Sequence, residues 1–225
     1  MEFGVLAEAL DKNEGLLVHK AIKRMMDICL STIGLVIASP AIIIIALAIK
    51  VTSPGPAFFI QDRVGKDGRV FQMYKFRTMT HGAEHTTLGR YISRKDASIT
   101  PVGLILRRWA LDELPQLLNV LKGDMSIVGP RPTLSYQVQK YDSGQLRRLD
   151  VKPGITGWAQ VNGRNKLSWP ERIKLDIWYV ENCSIRLDMT IMLMTVPALL
   201  KREFAFTADD ASDDEIVRVD RQKGS

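Results

Sequence analysis

The sequence contains little cysteine and none of the common glycine-rich nucleotide-binding patterns. Its 225 residues include two cysteines, Cys29 and Cys183, too few for a disulfide framework or for a zinc site with four cysteine ligands. A reducing compartment is therefore the simpler expectation. No Walker loop is present, and no G-x-G-x-x-G pattern follows a predicted strand. These absences argue against the phosphate-binding loops of P-loop and Rossmann proteins.

Acidic residues are in the minority, and they are unevenly placed. Lys and Arg number 31 against 25 Asp and Glu, a net charge of +6. Residues 207–225 hold six acidic and three basic side chains, so residues 1–206 carry 28 basic against 19 acidic ones, a net charge of +9. A basic body suits nucleic acid, anionic lipid or phosphorylated substrates. We expect no nucleic acid as a partner, because the basic residues are not interleaved with a series of stacking aromatics.

The longest apolar run covers residues 28–49, which are 22 residues without a charge and long enough for a transmembrane helix. Ser39 and Pro40 lie at its centre. Proline bends or breaks a helix, and each half of about 10–12 residues would extend roughly 15–18 Å, short of the ~30 Å hydrocarbon core. Basic residues flank both ends, which favours both ends on the cytoplasmic side. The run predicts a re-entrant helix broken at Ser39-Pro40, where the Ser39 hydroxyl bonds a freed carbonyl; a kinked spanning helix is the alternative.

The remaining patterns predict an α+β fold that is mainly helical. Two β-rich runs at 57–64 and 69–76 flank an Asp-Gly turn and predict a hairpin, hence a small sheet. Segment 124–165 is rich in proline and glycine and predicts ordered loops, which often hold ligands. The predicted helices cover residues 102–109, about 112–122 with Gly123 after it, 169–182 and 187–204. The last of these is too short to span a membrane and suits either the core or a membrane interface.

The sharpest candidate for chemistry is the adjacent pair Asp112 and Glu113. Pro115 follows and suits the first turn of a helix, so we expect both carboxylates near a helix N-terminus, where free amides favour ionised groups. Two such acids can divide the work of phosphoryl transfer. One can attack phosphorus while the other holds a divalent metal, and arginine neutralises the phosphate oxygens. A simple helix-capping pair is the alternative.

Basic residues in loops rich in proline and glycine form a second group of candidates. Proline and glycine fix the loop geometry, so basic residues placed there suit rigid phosphate binding. Ordinary surface basicity is the alternative for each of them taken singly. The group comprises Lys75, Arg77, Arg131 and Arg164.

Taken together, these residues closely resemble the bacterial sugar transferase family, the monotopic phosphoglycosyl transferases that begin lipid-linked glycan assembly. The resemblance is to the small form of the family, covers about residues 18–205 and follows the family's order of motifs. Each motif is weak alone, but the combination is specific. Besides Ser39-Pro40, the matching motifs are residues 75–79 (KFRTM), 106–108 (LRR), 111–116 (LDELPQ), 129–132 (GPRP) and 153–164 (PGITGWAQVNGR).

The resemblance implies a two-step reaction between a UDP-sugar and polyprenyl phosphate, such as undecaprenyl phosphate. Asp112 attacks the sugar-linked phosphate, which releases UMP and leaves a phosphosugar-aspartate intermediate, and the lipid phosphate then attacks that intermediate. Glu113 is implied to bind Mg²⁺. The implied substrate- and phosphate-binding residues, with the roles of the two aspartates left open, are Lys75, Arg77, Arg107, Arg131, Arg164, Asp176 and Asp188.

The resemblance also favours the re-entrant course of the apolar helix, because a lipid phosphate lies at the level of the headgroups. It implies the bacterial inner membrane, with the catalytic domain on the cytoplasmic face, and it leaves room for a homodimer. The expected organisation is a polar lead (1–17), a re-entrant membrane helix (18–52), a catalytic domain at the membrane interface (53–206) and an acidic tail (207–225).

Two other functions stay open at this point. A membrane-associated protein that binds anionic lipid without catalysis would be insensitive to Asp112→Asn. A metal-assisted hydrolase of nucleotide sugars would release UMP without a lipid acceptor. The transferase predicts complete dependence on Asp112.

Overall fold

A computed structural model of the chain describes residues 2–83, 96–163 and 167–200. Its first element is one long helix, α1 (Glu2–Thr52). The stretch Val18–Thr52 is long and apolar enough to cross a membrane. α1 continues through Ser39 and Pro40, so these residues do not divide it into two helices, and the re-entrant course stays a prediction.

The contacts around Pro40 explain why α1 continues. Pro40 has no N–H, so the carbonyl of Val36, four residues earlier, lacks its helical donor. The Ser39 hydroxyl donates to that carbonyl at 2.8 Å. The hydrogen bond predicted from the sequence is therefore confirmed, and it satisfies a polar group that lipid could not.

The predicted hairpin is confirmed. β1 (Phe58–Val64) and β2 (Val70–Phe76) are antiparallel, and a 3-10 turn at Lys66–Gly68 joins them. Asp67 has φ 56° in this turn, a left-handed conformation that aspartate tolerates better than most side chains.

The register of the hairpin decides which side chains share a face. Phe59 pairs with Lys75, and Arg63 pairs with Phe71. Since side chains alternate along a strand and paired residues point to the same face, Arg63 and Lys75 lie on one face of the hairpin.

Two short helices follow the hairpin. α2 (Pro101–Arg108) begins after Thr100, whose hydroxyl accepts a hydrogen bond from the backbone N–H of Gly103 at 2.9 Å. α3 (Gln116–Lys122) ends at Gly123, which has φ 97°. Both helices and the glycine end were predicted and are confirmed, except for the start of the second helix.

The predicted start of the second helix, near Asp112, is wrong. Asp112 and Glu113 lie in a separate 3-10 turn, Leu111–Glu113, that precedes α3. Ala110 before the turn is left-handed, with φ 54°. Pro115 has no N–H to donate to the carbonyl four residues back, so the α-helical ladder begins only after it.

A parallel pair of strands, which the sequence did not predict, forms within the segment expected to be loops. β3 (Ser126–Val128) pairs with β4 (Gly154–Thr156). Short helical pieces surround the pair, and two longer helices end the described part of the chain. These elements are α4 (Ser135–Val138), α5 (Ser143–Leu146), a 3-10 turn at Arg147–Leu149, α6 (Trp158–Val161), α7 (Trp169–Asn182) and α8 (Ile185–Leu200).

The last two helices agree with prediction, and so does the fold class, α+β and mainly helical. α7 coincides with the predicted range, and α8 begins two residues before its predicted start at residue 187. Residues 201–204 of that prediction lie outside the described residues. α8 buries Ile191 in the core and exposes Leu193 and Val196, which are 69% and 56% exposed; its place at a membrane surface stays a prediction.

α1 is docked on the rest of the fold by an ion pair. Lys23 Nζ lies 2.6 Å from Asp188 Oδ2 of α8 and donates to the Val128 carbonyl of β3 at 3.1 Å. Lys23 Nζ also donates to the Tyr179 hydroxyl of α7 at 3.4 Å, and that hydroxyl donates to the other oxygen of Asp188 at 2.7 Å. One side chain of α1 thus contacts three elements.

Two further charged residues in the same turn of α1 extend this docking. The Arg24 guanidinium donates to the carbonyls of residues 120 and 121 at 2.7 and 2.8 Å, at the end of α3. Asp27 Oδ1 accepts from the Ser126 hydroxyl and from the Ile127 N–H, each at 2.9 Å. We call Lys23, Arg24, Asp27 and Asp188 the anchor cluster.

Candidate functional site

Glu113 is the centre of a group of charged side chains. Its Oε1 accepts from Lys75 Nζ at 3.1 Å and from Arg131 Nη2 at 2.8 Å, and its side chain is 10% exposed. Lys75 belongs to β2, and Arg131 belongs to the GPRP loop after β3. One carboxylate oxygen therefore joins two motifs that are far apart in the sequence.

Asp112 precedes Glu113 in the 3-10 turn and is half-buried. Burial raises the pKa of the Asp112 carboxyl above its ordinary value, and Glu113 raises it further. The cations Lys75, Arg107 and Arg131 oppose this rise. A carboxylate partly removed from water and faced by cations suits attack on a phosphorus atom.

The pKa values of the surrounding cations are also perturbed. Burial lowers the pKa of Lys75, against the opposing effect of Glu113. Burial, together with the nearby positive charge of Arg131, lowers the pKa of Arg63 to about 10. Glu113 raises the pKa of Arg131. These mutual effects place Arg63 in the same electrostatic environment as the predicted residues.

The group carries an excess of positive charge. Four cations and two carboxylates interact in it, a net charge of +2. Such an excess in a partly buried site favours an anionic ligand, and phosphate groups are the ligands that arginine and lysine bind in this way. We call Arg63, Lys75, Arg107, Arg131, Asp112 and Glu113 the carboxylate cluster.

The two carboxylates lie next to the apolar part of α1. Leu111 and Leu114, which bracket them in the chain, pack on a core that includes Ile49 of α1 and Phe76 at the end of β2. Ile45 of α1 packs on the same core. The carboxylate cluster is therefore held beside the segment of α1 that suits a bilayer.

The hydrogen bonds of Arg107 and of the predicted residue Arg77 join neighbouring segments of the chain. Arg107 Nε donates to the Thr78 hydroxyl at 2.9 Å, which joins α2 to the end of the KFRTM motif. Arg77 is 3% exposed and donates to the carbonyls of Ser53 and Pro54 at 2.8 and 2.7 Å. It binds the backbone that leaves α1.

The two predicted aspartates form buried ion pairs with residues outside the carboxylate cluster. Asp176 Oδ2 lies 2.5 Å from Arg148 Nη2, with each side chain 3% exposed or less. Asp188 pairs with Lys23 in the anchor cluster. Arg164 and the acidic tail at 207–225 lie outside the described residues.

Arg63 and Arg148 were not predicted as site residues. A signal for Arg63 exists, because the Asp-Gly turn fixes a register that places Arg63 on the face of Lys75. No comparable signal exists for Arg148, since its contacts with Asp176 and with the Arg131 carbonyl depend on the packing of α7 and the GPRP loop.

The donors in the site fit a magnesium ion. The described residues contain no group of three or more His, Cys, Asp or Glu side chains that could hold a metal by themselves. Mg²⁺ is usually bound by one or two carboxylates together with substrate phosphates, so a protein cage is not needed. Asp112 and Glu113 supply hard oxygen ligands of this type.

A comparison with known families identifies the chain. The profile of the family described as bacterial sugar transferase matches residues 18–202. The chain belongs to the bacterial sugar transferase family. The resemblance drawn from the motifs is thus confirmed, and the matched range contains the described residues of both the anchor cluster and the carboxylate cluster.

Individual members of the bacterial sugar transferase family differ from the chain in length. EpsL of Bacillus subtilis, named as an uncharacterized sugar transferase, is 44% identical over 182 residues, which are 81% of this chain and 89% of EpsL. The galactosyl transferase CpsE of Streptococcus agalactiae is 42% identical over 193 residues, 81% of this chain and 43% of CpsE. The UDP-glucose:undecaprenyl-phosphate glucose-1-phosphate transferase of Escherichia coli is 43% identical over 187 residues, 80% of this chain and 40% of that enzyme. The chain spans less than half of these two longer relatives.

Proposed function

We propose that this protein transfers a sugar phosphate from a UDP-sugar to undecaprenyl phosphate or a similar polyprenyl phosphate, with release of UMP. Several relatives are named for undecaprenyl-phosphate acceptors, with glucose, galactose or N-acetylgalactosamine as the sugar. Because these sugars differ while the similarity to the chain stays near 40%, the sugar itself must be found by experiment.

The observation that carries the proposal is the position of the carboxylate cluster next to the apolar part of α1. Two carboxylates with an excess of cations lie against the apolar part of α1 through Leu111 and Leu114. A diphosphate substrate needs the positive charge, and a lipid-linked acceptor phosphate needs a site at the membrane surface. A soluble nucleotide-sugar hydrolase needs no such helix.

The proposed reaction has two steps. A carboxylate oxygen of Asp112 forms a bond to the phosphorus that carries the sugar, the bond from that phosphorus to the bridging oxygen breaks, and UMP leaves with the bond's electron pair. An oxygen of the lipid phosphate then attacks the same phosphorus and releases the Asp112 carboxylate. Lys75 and Arg131 hold the phosphate oxygens in both steps.

Glu113 has two roles in this proposal. It orients Lys75 and Arg131, which both donate to its Oε1. With the substrate phosphates it would also hold Mg²⁺, which when bound neutralises charge on the diphosphate. We further propose that α1 keeps the catalytic domain on the cytoplasmic face of the bacterial inner membrane.

The test measures UMP release by the protein in nanodiscs. UDP-glucose, UDP-galactose and UDP-N-acetylgalactosamine are each supplied with and without undecaprenyl phosphate, and with Mg²⁺ or EDTA. Asp112→Asn removes the nucleophile, and Asp67→Asn is the matched control, because Asp67 is an exposed turn residue whose side chain is 57% exposed.

Release that needs one donor, the lipid and Mg²⁺, and that Asp112→Asn abolishes while Asp67→Asn does not, is the expected result. A phosphosugar adduct on Asp112, detected by mass spectrometry when the lipid is omitted, would be direct evidence for the covalent intermediate of the proposed reaction. Steady release without lipid would replace the proposal by a hydrolase. Lipid binding without release from any donor would favour a non-catalytic binding protein.

A further inference from the structure

The GPRP loop is held through its carbonyl groups. Residues 130 and 132 are prolines and have no N–H to donate, but every carbonyl from 130 to 133 accepts a hydrogen bond. The donors are Gly154 N–H at 2.9 Å, Arg148 Nη2 at 3.2 Å, Arg63 Nη1 at 3.4 Å and Val64 N–H at 2.9 Å, in that order. The loop is therefore fixed by neighbours and not by bonds of its own.

Arg148 is the donor to the carbonyl of Arg131, the residue whose side chain contacts Glu113. Its side chain is 2% exposed, so its charge needs partners inside the protein. Asp176 of α7 supplies the opposite charge at 2.5 Å. A chain of contacts thus runs from Asp176 through Arg148 and the backbone of Arg131 to Glu113.

We propose that Asp176 and Arg148 are positioning residues, in which the buried ion pair holds the Arg131 carbonyl so that the Arg131 guanidinium points at Glu113. For its effect on transfer this inference rests on the proposed function. It assigns an indirect role to Asp176, which the sequence grouped with the substrate-binding residues without fixing its role.

The geometry calls for arginine at position 148. The same Nη2 atom donates both to Asp176 and to the Arg131 carbonyl, while Nη1 donates to the Tyr141 hydroxyl. A lysine has one ammonium group and lacks the planar fork that serves partners in fixed directions. In Arg148→Lys one nitrogen replaces both Nη1 and Nη2, so this variant should keep the ion pair, lose the contact with Tyr141 and weaken the contact with the loop.

The main test replaces the whole pair, Arg148→Met with Asp176→Leu. Apolar replacement of a buried ion pair usually preserves folding, whereas removal of one partner leaves an unpaired buried charge. The expected loss of kcat/KM is about 10- to 100-fold, the usual effect of misplacing a group in a reacting site. Arg148→Lys should show an intermediate loss, and it serves as the second variant if the double variant does not fold.

The matched control is a neighbouring ion pair. Arg147 and Glu181 also join the 3-10 turn at Arg147–Leu149 to α7, at 2.7 Å, but their side chains are 51% and 43% exposed. Arg147→Met with Glu181→Leu removes an ion pair between the same elements without touching the loop. Its activity should stay within about twofold of wild type, because exposed pairs contribute little.

A double-mutant cycle separates positioning from general stability. If Asp176 and Arg148 act through Arg131, the pair replacement should cause almost no further loss of kcat/KM in an Arg131→Gln background. A role that is only structural would lower kcat/KM by the same factor in both backgrounds. Equal losses would overturn the inference.

Amide hydrogen exchange tests the same inference without any turnover. The pair replacement should speed exchange of the N–H groups in residues 126–134, while the Arg147 and Glu181 control should not. If wild type transfers no sugar phosphate, the proposed function fails and this exchange result still decides the inference. Unchanged exchange in the loop would overturn it.

Discussion

The anchor cluster and the carboxylate cluster use the same kinds of side chain but differ in charge balance. In the anchor cluster Lys23 and Arg24 are matched by Asp27 and Asp188, and each of the four groups has hydrogen-bond partners at 2.6–3.1 Å. In the carboxylate cluster four cations face two acids.

The difference indicates separate tasks for the two regions. Balanced and hydrogen-bonded charges hold α1 on the domain and create no excess charge that favours a ligand. Unbalanced charges held in partial burial perturb one another's pKa values and attract an anion. Substitutions in the first region should therefore change stability, and substitutions in the second should change activity.

The largest expected effect is a loss of activity without a loss of stability. Asp112→Asn should reduce sugar-phosphate transfer by about 10⁴-fold or more, because the nucleophile is removed. The folded-state pKa of Asp112 is raised, so its ionised form opposes folding at pH values above that pKa, and asparagine removes this cost. The thermal midpoint at pH 7.5 should stay equal or rise. A marked fall would show that Asp112 also stabilises the fold, and the comparison would fail.

The next effect is the reverse, a loss of stability greater than the loss of activity. Asp188→Asn leaves Lys23 facing a neutral group, and since the Lys23 side chain is 20% exposed, we expect a cost of about 2–3 kcal/mol. Thermal unfolding in detergent measures it. The paired change Lys23→Met with Asp188→Leu should recover most of the stability.

The activity of the Asp188→Asn protein decides whether Asp188 belongs to the anchor alone. The fraction that is folded should retain transfer within about tenfold of wild type, because no reacting group is removed. Complete loss of transfer in fully folded protein would mean that Asp188 contacts substrate and does not belong to the anchor alone.

The pH dependence of transfer gives a smaller and more specific test of the carboxylate cluster. Because the pKa of Asp112 is raised, its carboxylate should be lost, and transfer with it, at a higher pH than for an ordinary aspartate. Because burial lowers the pKa of Lys75, the fall of kcat/KM at high pH, its basic limb, should occur below the pH at which an ordinary lysine loses its proton. Lys75→Arg should move the basic limb of kcat/KM upward and leave the acidic limb in place. A basic limb that does not move would assign it to another group.

Local patterns were sufficient to predict the elements that local chemistry determines. Two β-rich runs around an Asp-Gly turn predicted β1 and β2, and the range of α7 was predicted without error. The adjacent carboxylates were found because they are neighbours in the chain. Their 3-10 turn was missed, since it depends on the left-handed Ala110, a conformation that alanine rarely adopts.

Contacts between distant segments could not be predicted in this way. β3 and β4 have three residues each and pair across an intervening segment of 25 residues, so neither has a periodic signal. The Lys23 to Asp188 pair joins residues 165 apart, and the Arg148 to Asp176 pair joins residues 28 apart. Both acids were therefore grouped with the substrate-binding residues with their roles left open, and the structure pairs them with cations of other elements.

The smallest expected effect concerns α1 itself, where one hydrogen bond replaces the donor that proline lacks. Ser39→Ala removes the bond to the Val36 carbonyl and should cost about 1 kcal/mol in thermal unfolding of the protein in nanodiscs. Pro40→Ala restores a backbone N–H that can reach the same carbonyl. In that background Ser39→Ala should cost almost nothing, because the carbonyl keeps its donor. An equal cost in both backgrounds would mean that the Ser39 hydroxyl stabilises α1 through a different contact.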